Sequence, residues 1–269
     1  MRSVRALLVL AAGLSLTACE SAPVTGRSQM ILVSESQELQ LGLQTYRQIL
    51  ATEQQSRNPQ LTALVEKVGR RIASAAERPQ ENLWRRPAYQ WEFKTIEKDE
   101  INAFCLPGGK VLVYSGLLPI ARDETGLAVI MGHEVAHALA HHGAERLSNQ
   151  LAATAGLAAA AAILSSSSNS NDRANLPLMM AALGAGATVG YLLPMSRAQE
   201  AEADHIGLIL MAQAGYDPRQ APALWERMRT ANRGARMPEW LSTHPTDDAR
   251  IADIRSWVPE AMKYYRPKD

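Results

Sequence analysis

His133, Glu134 and His137 fall within five consecutive residues, His133-Glu134-Val135-Ala136-His137, and their types and spacing suit metal-assisted hydrolysis. On a helix of about 3.6 residues per turn, positions four apart stack on one face. Both imidazoles can therefore grip one divalent ion while Glu134 stands beside the open coordination position. A zinc ion held there would lower the pKa of a water and polarise a peptide carbonyl. Glu134 would take the proton as the water attacks and pass it to the leaving amine. The flanks, Ala128-Val129-Ile130-Met131-Gly132 and Ala138-Leu139-Ala140, carry no charge, as expected of a helix buried beneath the floor of a site. Such a five-residue match arises by accident in roughly one chain in a hundred, so it needs support from other residues.

Catalytic zinc usually takes three protein ligands and leaves one position for water. In the extended pattern H-E-x-x-H-x-x-G-x-x-H the third is a histidine, but here Ala140 and Gly143 occupy the glycine and histidine positions, which excludes that class. His141 continues the four-residue series, yet on a straight helix it lies about 12 Å from His133, too far to share an ion. It reads as structural. A carboxylate from a downstream helix is the other source, with Glu200, Glu202 and, less plausibly, Asp204 as candidates. Glu200 and Asp204 share one helix face, so Asp204 can orient a metal-bound histidine from behind. Glu202 points elsewhere.

The segment Ser196-Arg197-Ala198-Gln199-Glu200-Ala201-Glu202-Ala203-Asp204 resembles the S-R-x-x-E-x-x-A-D segment of the M48 zinc peptidases. That resemblance implies one Zn2+ per chain, held by His133, His137 and Glu200. Asn102-Ala103-Phe104, followed by Pro107-Gly108-Gly109, resembles the segment that forms the edge of the active-site sheet in zincin folds. An extended substrate would pair its backbone along Asn102, Ala103, Phe104 and Cys105, which favours unfolded or flexible polypeptide. His244-Pro245 with Arg250 resembles the family's C-terminal signature. His244 would either donate to the developing oxyanion or occupy the open zinc position and hold the enzyme latent. His142 and His205 read as surface or packing residues, and Cys105 as a small buried hydrophobe.

The elements that must position these residues follow from periodicity. The fold class is α+β, mainly helical, and the resemblance implies a zincin-like (gluzincin) metallopeptidase with a small active-site sheet and an active-site helix. Leu39, Leu43, Tyr46 and Leu50 predict a helix over 35–52, with Ser34 and Gln37 resembling a capping box. Leu61, Leu64, Val65, Val68 and Ile72 predict another over 61–76. Alternation at Tyr89, Trp91, Phe93 and Thr95 predicts a half-buried strand, and 101–106 with 111–114 a hairpin across Pro107-Gly108-Gly109. Asp123 is the expected N-cap of the histidine-bearing helix, which should continue through Arg146. Residues 151–195 form an apolar, Ala- and Gly-rich insertion expected to pack as a helical hairpin on or over the catalytic domain, with a membrane-dipping hairpin or a membrane span as the alternatives. Helices should follow over 197–214, 218–232 and 247–257.

The N-terminus bears on location. Arg2 and Arg5 precede an apolar run, Ala6 to Leu16, too short to span a membrane stably. It ends in Leu16-Thr17-Ala18-Cys19, which resembles a bacterial lipobox. Residues 1–18 are then a lipoprotein signal peptide, 19–34 a tether from the acylated Cys19, and 35–269 the peptidase domain. Glu20 after the cysteine fits outer-membrane sorting, facing the periplasm. Losing Arg2 and Arg5 leaves 26 basic against 27 acidic residues, so nothing suggests nucleic acid. Beside Cys19 only Cys105 remains, which leaves stability to the hydrophobic core. The expected function is a zinc endopeptidase acting on unfolded or misfolded envelope proteins, in contact with outer-membrane assembly machinery. The alternative is a zinc-containing chaperone or assembly factor with minor proteolysis.

Overall fold

The computed structural model describes residues 19–78, 84, 89–165, 196–231, 239–244 and 247–267. The expected signal peptide, residues 166–195 of the expected hairpin and Pro245 lie outside the described residues. In chain order the elements are β1 (Cys19–Ser21), β2 (Ser28–Met30), α1 (Glu35–Thr52), α2 (Pro59–Ala76), β3 (Glu92–Ile96), β4 (Ala103–Leu106), β5 (Lys110–Tyr114), the single turn α3 (Leu118–Ala121), α4 (Glu124–Leu139), α5 (His142–Ser165), α6 (Arg197–Gln213), α7 (Ala221–Ala231), α8 (Glu239–Thr243) and α9 (Asp248–Ala261). The chain is mainly helical with small sheets.

Two compact units divide the chain. The smaller comprises Met1–Ser21, Ser28–Ser34 and Gly143–Leu193. Within it β1 pairs antiparallel with β2, Cys19 opposite Met30, and the Leu32 amide donates to Ser148 Oγ of α5 at 2.7 Å. Among the described residues no helix is long and apolar enough to cross a membrane.

The larger unit comprises Ala22–Arg27, Glu35–His142 and Pro194–Asp269. Its centre is α4, in which every residue from Gly126 to Leu139 is buried. Apart from His133, Glu134 and His137 this stretch is apolar, so it can be surrounded on all sides, and α2, β4, α6 and α7 do so. Asp123 caps it as expected, its carboxylate accepting from the Gly126 amide at 2.8 Å. Asn58 caps α2, accepting from the Gln60 and Leu61 amides, and Pro59 fills the first helical position where no donor is needed.

The sheet runs β3-β5-β4, with β3 parallel and β4 antiparallel to β5. Gly108 and Gly109, at φ of 87° and 79°, make the turn between β4 and β5. Ala103, Cys105, Val111 and Val113 face the main core, while Phe104, Leu106, Leu112 and Tyr114 face Tyr46, Ile49 and Leu50 of α1. The sheet is thus covered on both faces, and β4 forms one edge.

One expectation fails in a consequential way. The histidine-bearing helix does not continue through Arg146: it ends at Leu139, and α5 starts afresh at His142. The amides of Ala140 and His141 close the last turn on Ala136 and Ala138, and the backbone then turns left-handed at His141, with φ of 53°. His141 Nδ1 sits 2.8 Å from Glu38 Oε2 of α1, a contact that holds this unusual conformation.

Candidate metal centre

Helices α4 and α6 cross at two glycines. A Cβ on Gly132 would meet the Gly207 carbonyl oxygen at 2.9 Å, and one on Gly207 would meet the His133 amide nitrogen at 2.9 Å. This close approach brings the histidines of α4 against the carboxylates of α6. Ser196 starts α6 with a capping box, exchanging hydrogen bonds with Gln199, so Glu200 is fixed in the first turn.

Four side chains converge. One ligand atom from each of His133, His137, Glu200 and His244 lies within 4.8 Å of the others, and all four residues are buried. The Nε2 atoms of His133 and His137 are 3.0 Å apart, His137 Nε2 is 3.4 Å from Glu200 Oε1, and His133 Nε2 is 3.2 Å from His244 Nδ1. Tetrahedral zinc with bonds near 2.05 Å needs ligand atoms about 3.3 Å apart, and these three separations lie close to that. Charge and hydrogen bonding agree. Glu134, Glu200 and Asp204 are buried with Arg250 as the cation among them, and Glu200 Oε2 has no aligned hydrogen-bond donor among the described residues, although Arg250 Nη1 approaches to 2.7 Å. A divalent cation would offset the surplus carboxylate charge. These residues could hold one metal ion.

The surrounding groups keep the donors in the right state. Burial lowers the pKa of His137 well below its ordinary value, which keeps a nitrogen lone pair available. Burial pushes the Glu200 carboxyl up, but His244, His137 and His133 outweigh it and hold the group below the usual carboxylate range. For Asp204 too, burial opposes ionisation while Arg250 and His133 prevail. Asp204 Oδ1 stands 2.9 Å from His133 Nδ1, and Arg250 forks onto both Asp204 oxygens at 2.7 and 3.0 Å. The Arg250 guanidinium also lies 3.7 Å over the Trp225 ring, which stacks on Trp240.

Glu134 is buried in the same site. Burial raises its pKa to about 7 against the opposing pull of His133 and of the Trp240 indole, which donates to Glu134 Oε1 at 2.8 Å. His244 stacks on Trp240 and places Nε2 3.8 Å from Glu134 Oε1, so it sits among the ligands rather than at the mouth of a cleft. Cys105 is partly exposed on β4, and Glu134 is close enough to add to the burial that raises the thiol's pKa.

The family model described as "Peptidase family M48" matches residues 59–258. The chain belongs to peptidase family M48. Among curated M48 relatives, the mitochondrial metalloendopeptidase OMA1 of Saccharomyces cerevisiae is 35% identical over 279 residues, covering 98% of this chain and 76% of the relative. That of Schizosaccharomyces pombe is 42% identical over 175 residues, covering 64% of this chain and 48% of the relative. The β-barrel assembly-enhancing protease of Escherichia coli is 31% identical over 240 residues, covering 88% of this chain and 47% of the relative. The chain spans about half the length of the last two. M48 membership makes it a zinc-dependent metalloendopeptidase with a zincin-like fold.

In this M48 chain the predicted site residues fall in two places. His133, Glu134, His137, Glu200, Asp204 and His244 gather in one buried cluster. Asn102, Ala103, Phe104 and Cys105 lie at or just before the edge strand β4, which packs against α4. His205 stacks on Trp257 and pairs with Glu260, consistent with packing. His142 is not at the surface: it is fully buried, with Nδ1 2.7 Å from His137 Nδ1 and Nε2 2.9 Å from Glu202 Oε2. Glu202 does point away from the ligand cluster, and this is where it goes. Trp240 and the fork of Arg250 also escaped prediction, because no local spacing signals a contact across such a sequence distance.

Proposed function

We propose that this chain is a zinc endopeptidase of the bacterial cell envelope that cleaves misfolded or unfolded proteins, with His133, His137 and Glu200 as ligands and Glu134 as general base. The observation that carries this reading is the tight set of ligand atoms with a buried, near-neutral carboxyl beside it. A zinc ion held by His133, His137 and Glu200 would supply a polarising charge for the scissile carbonyl and an activated water. The other steps belong to the chain. A carboxyl with a pKa near neutrality can both accept a proton from the nucleophile and return it to the leaving nitrogen, and the Trp240 indole fixes which oxygen faces the reaction. Asp204 holds the ring of His133 in place. The edge of β4, from Asn102 through Cys105, offers backbone groups to an extended substrate. His244 lies among the ligand atoms, so in this reading it withdraws before cleavage and the resting enzyme is latent.

Location rests on the N-terminal residues. Arg2, Arg5, the apolar run and Leu16-Thr17-Ala18-Cys19 support signal cleavage before Cys19, acylation of that residue and a tether over 19–34 leading to a peptidase domain over 35–269, with 151–195 inserted in it. The mitochondrial relatives favour a different compartment, but this N-terminal pattern and the Escherichia coli relative, named for β-barrel assembly, favour the outer membrane and its assembly machinery. The test is Glu134→Gln. The purified variant should retain one zinc per chain and lose cleavage of an unfolded protein by at least about 100-fold. Retained cleavage would overturn the assignment of the base. Rescue of an envelope-stress defect by the same variant would instead support the chaperone or assembly-factor reading.

A further inference from the structure

The two histidines of α4 are backed differently. Behind His133 stands a carboxylate, Asp204. Behind His137 stands another imidazole, and the carboxylate is one step further out: His137 Nδ1 to His142 Nδ1 at 2.7 Å, then His142 Nε2 to Glu202 Oε2 at 2.9 Å. His142 is fully buried and Glu202 nearly so. Glu202 in turn accepts from Arg27 Nε at 3.1 Å and Nη2 at 2.9 Å, and from the Thr25 hydroxyl. Thr25 and Arg27 belong to a tight turn closed by Ala22 N to Arg27 O and Gly26 N to Ala22 O, with Gly26 at φ of 67°.

Proton placement gives this chain a direction. An imidazole that presents Nε2 to a cation carries its hydrogen on Nδ1. His137 Nδ1–H then donates to His142 Nδ1, which obliges His142 to carry its own hydrogen on Nε2 and donate it to Glu202. Each ring nitrogen is satisfied, with a carboxylate at the end. The break in the helix makes this possible. Had α4 continued, His142 would sit about 140° around the axis from His137. The left-handed His141 turns it back onto the ring it supports.

We propose that His142 and Glu202 are positioning residues for His137, and that the 22–27 turn, through Thr25 and Arg27, completes this relay so that the N-terminal segment sets the metal affinity of the site. The proposal rests on the reading of His137 as a zinc ligand. It gives the turn between β1 and β2 a task at the metal centre and separates Glu202 from Glu200, its neighbour two positions back, by function.

The test measures zinc affinity by competition with a chromophoric chelator, the visible spectrum of the cobalt-substituted protein and the unfolding midpoint without metal. His142→Leu and Glu202→Leu should weaken zinc binding about 10- to 100-fold and shift the cobalt bands. Glu202→Gln, which keeps an acceptor for His142, should recover part of the loss. Arg27→Ala alters a side chain that is 26% exposed, so the fold tolerates it, and it should produce a smaller loss in the same direction. Should the buried variants fail to fold, Arg27→Ala decides. Wild-type zinc affinity and cobalt spectrum in the folded variants, with only the metal-free midpoint lowered, would mean a structural cluster and overturn the relay. A wild-type protein that binds no zinc would overturn the zinc reading along with it.

Discussion

At the residue scale, the proposed latency turns on His244. Its Nδ1 lies 2.8 Å from Glu200 Oε1 and 3.2 Å from His133 Nε2, among the ligand atoms. Removing the ring should therefore expose the ion: His244→Ala is expected to raise kcat/KM on an unfolded protein. A fall in kcat with unchanged KM would assign His244 to the oxyanion instead. Arg250 poses a question of stability. It is the buried cation against Glu200 and Asp204, so Arg250→Met should cost the metal-free protein about 3–5 kcal/mol in chemical denaturation. Arg250→Lys keeps the charge but not the two-pronged contact with Asp204, and should recover only part of it. The placement of His133 with His137, and of Glu200 with Asp204, was legible because each pair sits on one helix. The roles of Trp240 and His142 were not, since their partners Glu134 and Glu202 are 106 and 60 positions away.

At the element scale, the site depends on how closely α4 and α6 approach, and the two glycines at the crossing set that distance. Gly207→Ala would place a methyl 2.9 Å from the His133 amide nitrogen and 3.0 Å from the Gly132 carbonyl carbon, backbone atoms that cannot turn aside. The helices must separate, at an expected cost of about 1–3 kcal/mol. Because the same two helices carry His133, His137 and Glu200, zinc affinity should fall as well. Gly143→Ala is the contrast: nothing lies within 4 Å of the added carbon, and near the start of α5 it should leave zinc affinity unchanged and stability equal or slightly higher. Denaturation curves with chelator competition separate the two effects, and equal zinc affinity in Gly207→Ala would show that the crossing distance does not control the site. Periodicity foretold α1, α2 and the β4–β5 hairpin well, because their apolar spacing is local and Gly108-Gly109 marks the turn. It did not foretell the break after Leu139. Ala140, His141 and His142 contain no helix breaker, and the left-handed turn is stabilised by Glu38, distant in sequence.

At the scale of the whole molecule, a cation at this site would join α4, α6 and the segment around His244, parts of the chain that an unfolded protein holds far apart. Such an ion binds the native state and has little to bind in the unfolded one, so each tenfold rise in free zinc above the dissociation constant should add about 1.4 kcal/mol to the unfolding free energy. Chelation should lower the unfolding midpoint, and readdition of zinc should restore it. The division of the chain sharpens the expectation, because all four candidate ligands belong to the larger unit. In calorimetry, a resolved transition of that unit should move with free zinc, while one from the smaller unit should stay fixed. A single transition that moves as a whole would mean that the two units unfold together. Glu200→Gln removes the proposed charged ligand, so its midpoint should respond only at much higher zinc. If Glu200→Gln follows zinc as the wild type does, Glu200 does not hold the stabilising ion, and the buried carboxylates around Arg250 are balanced by something other than a cation on Glu200.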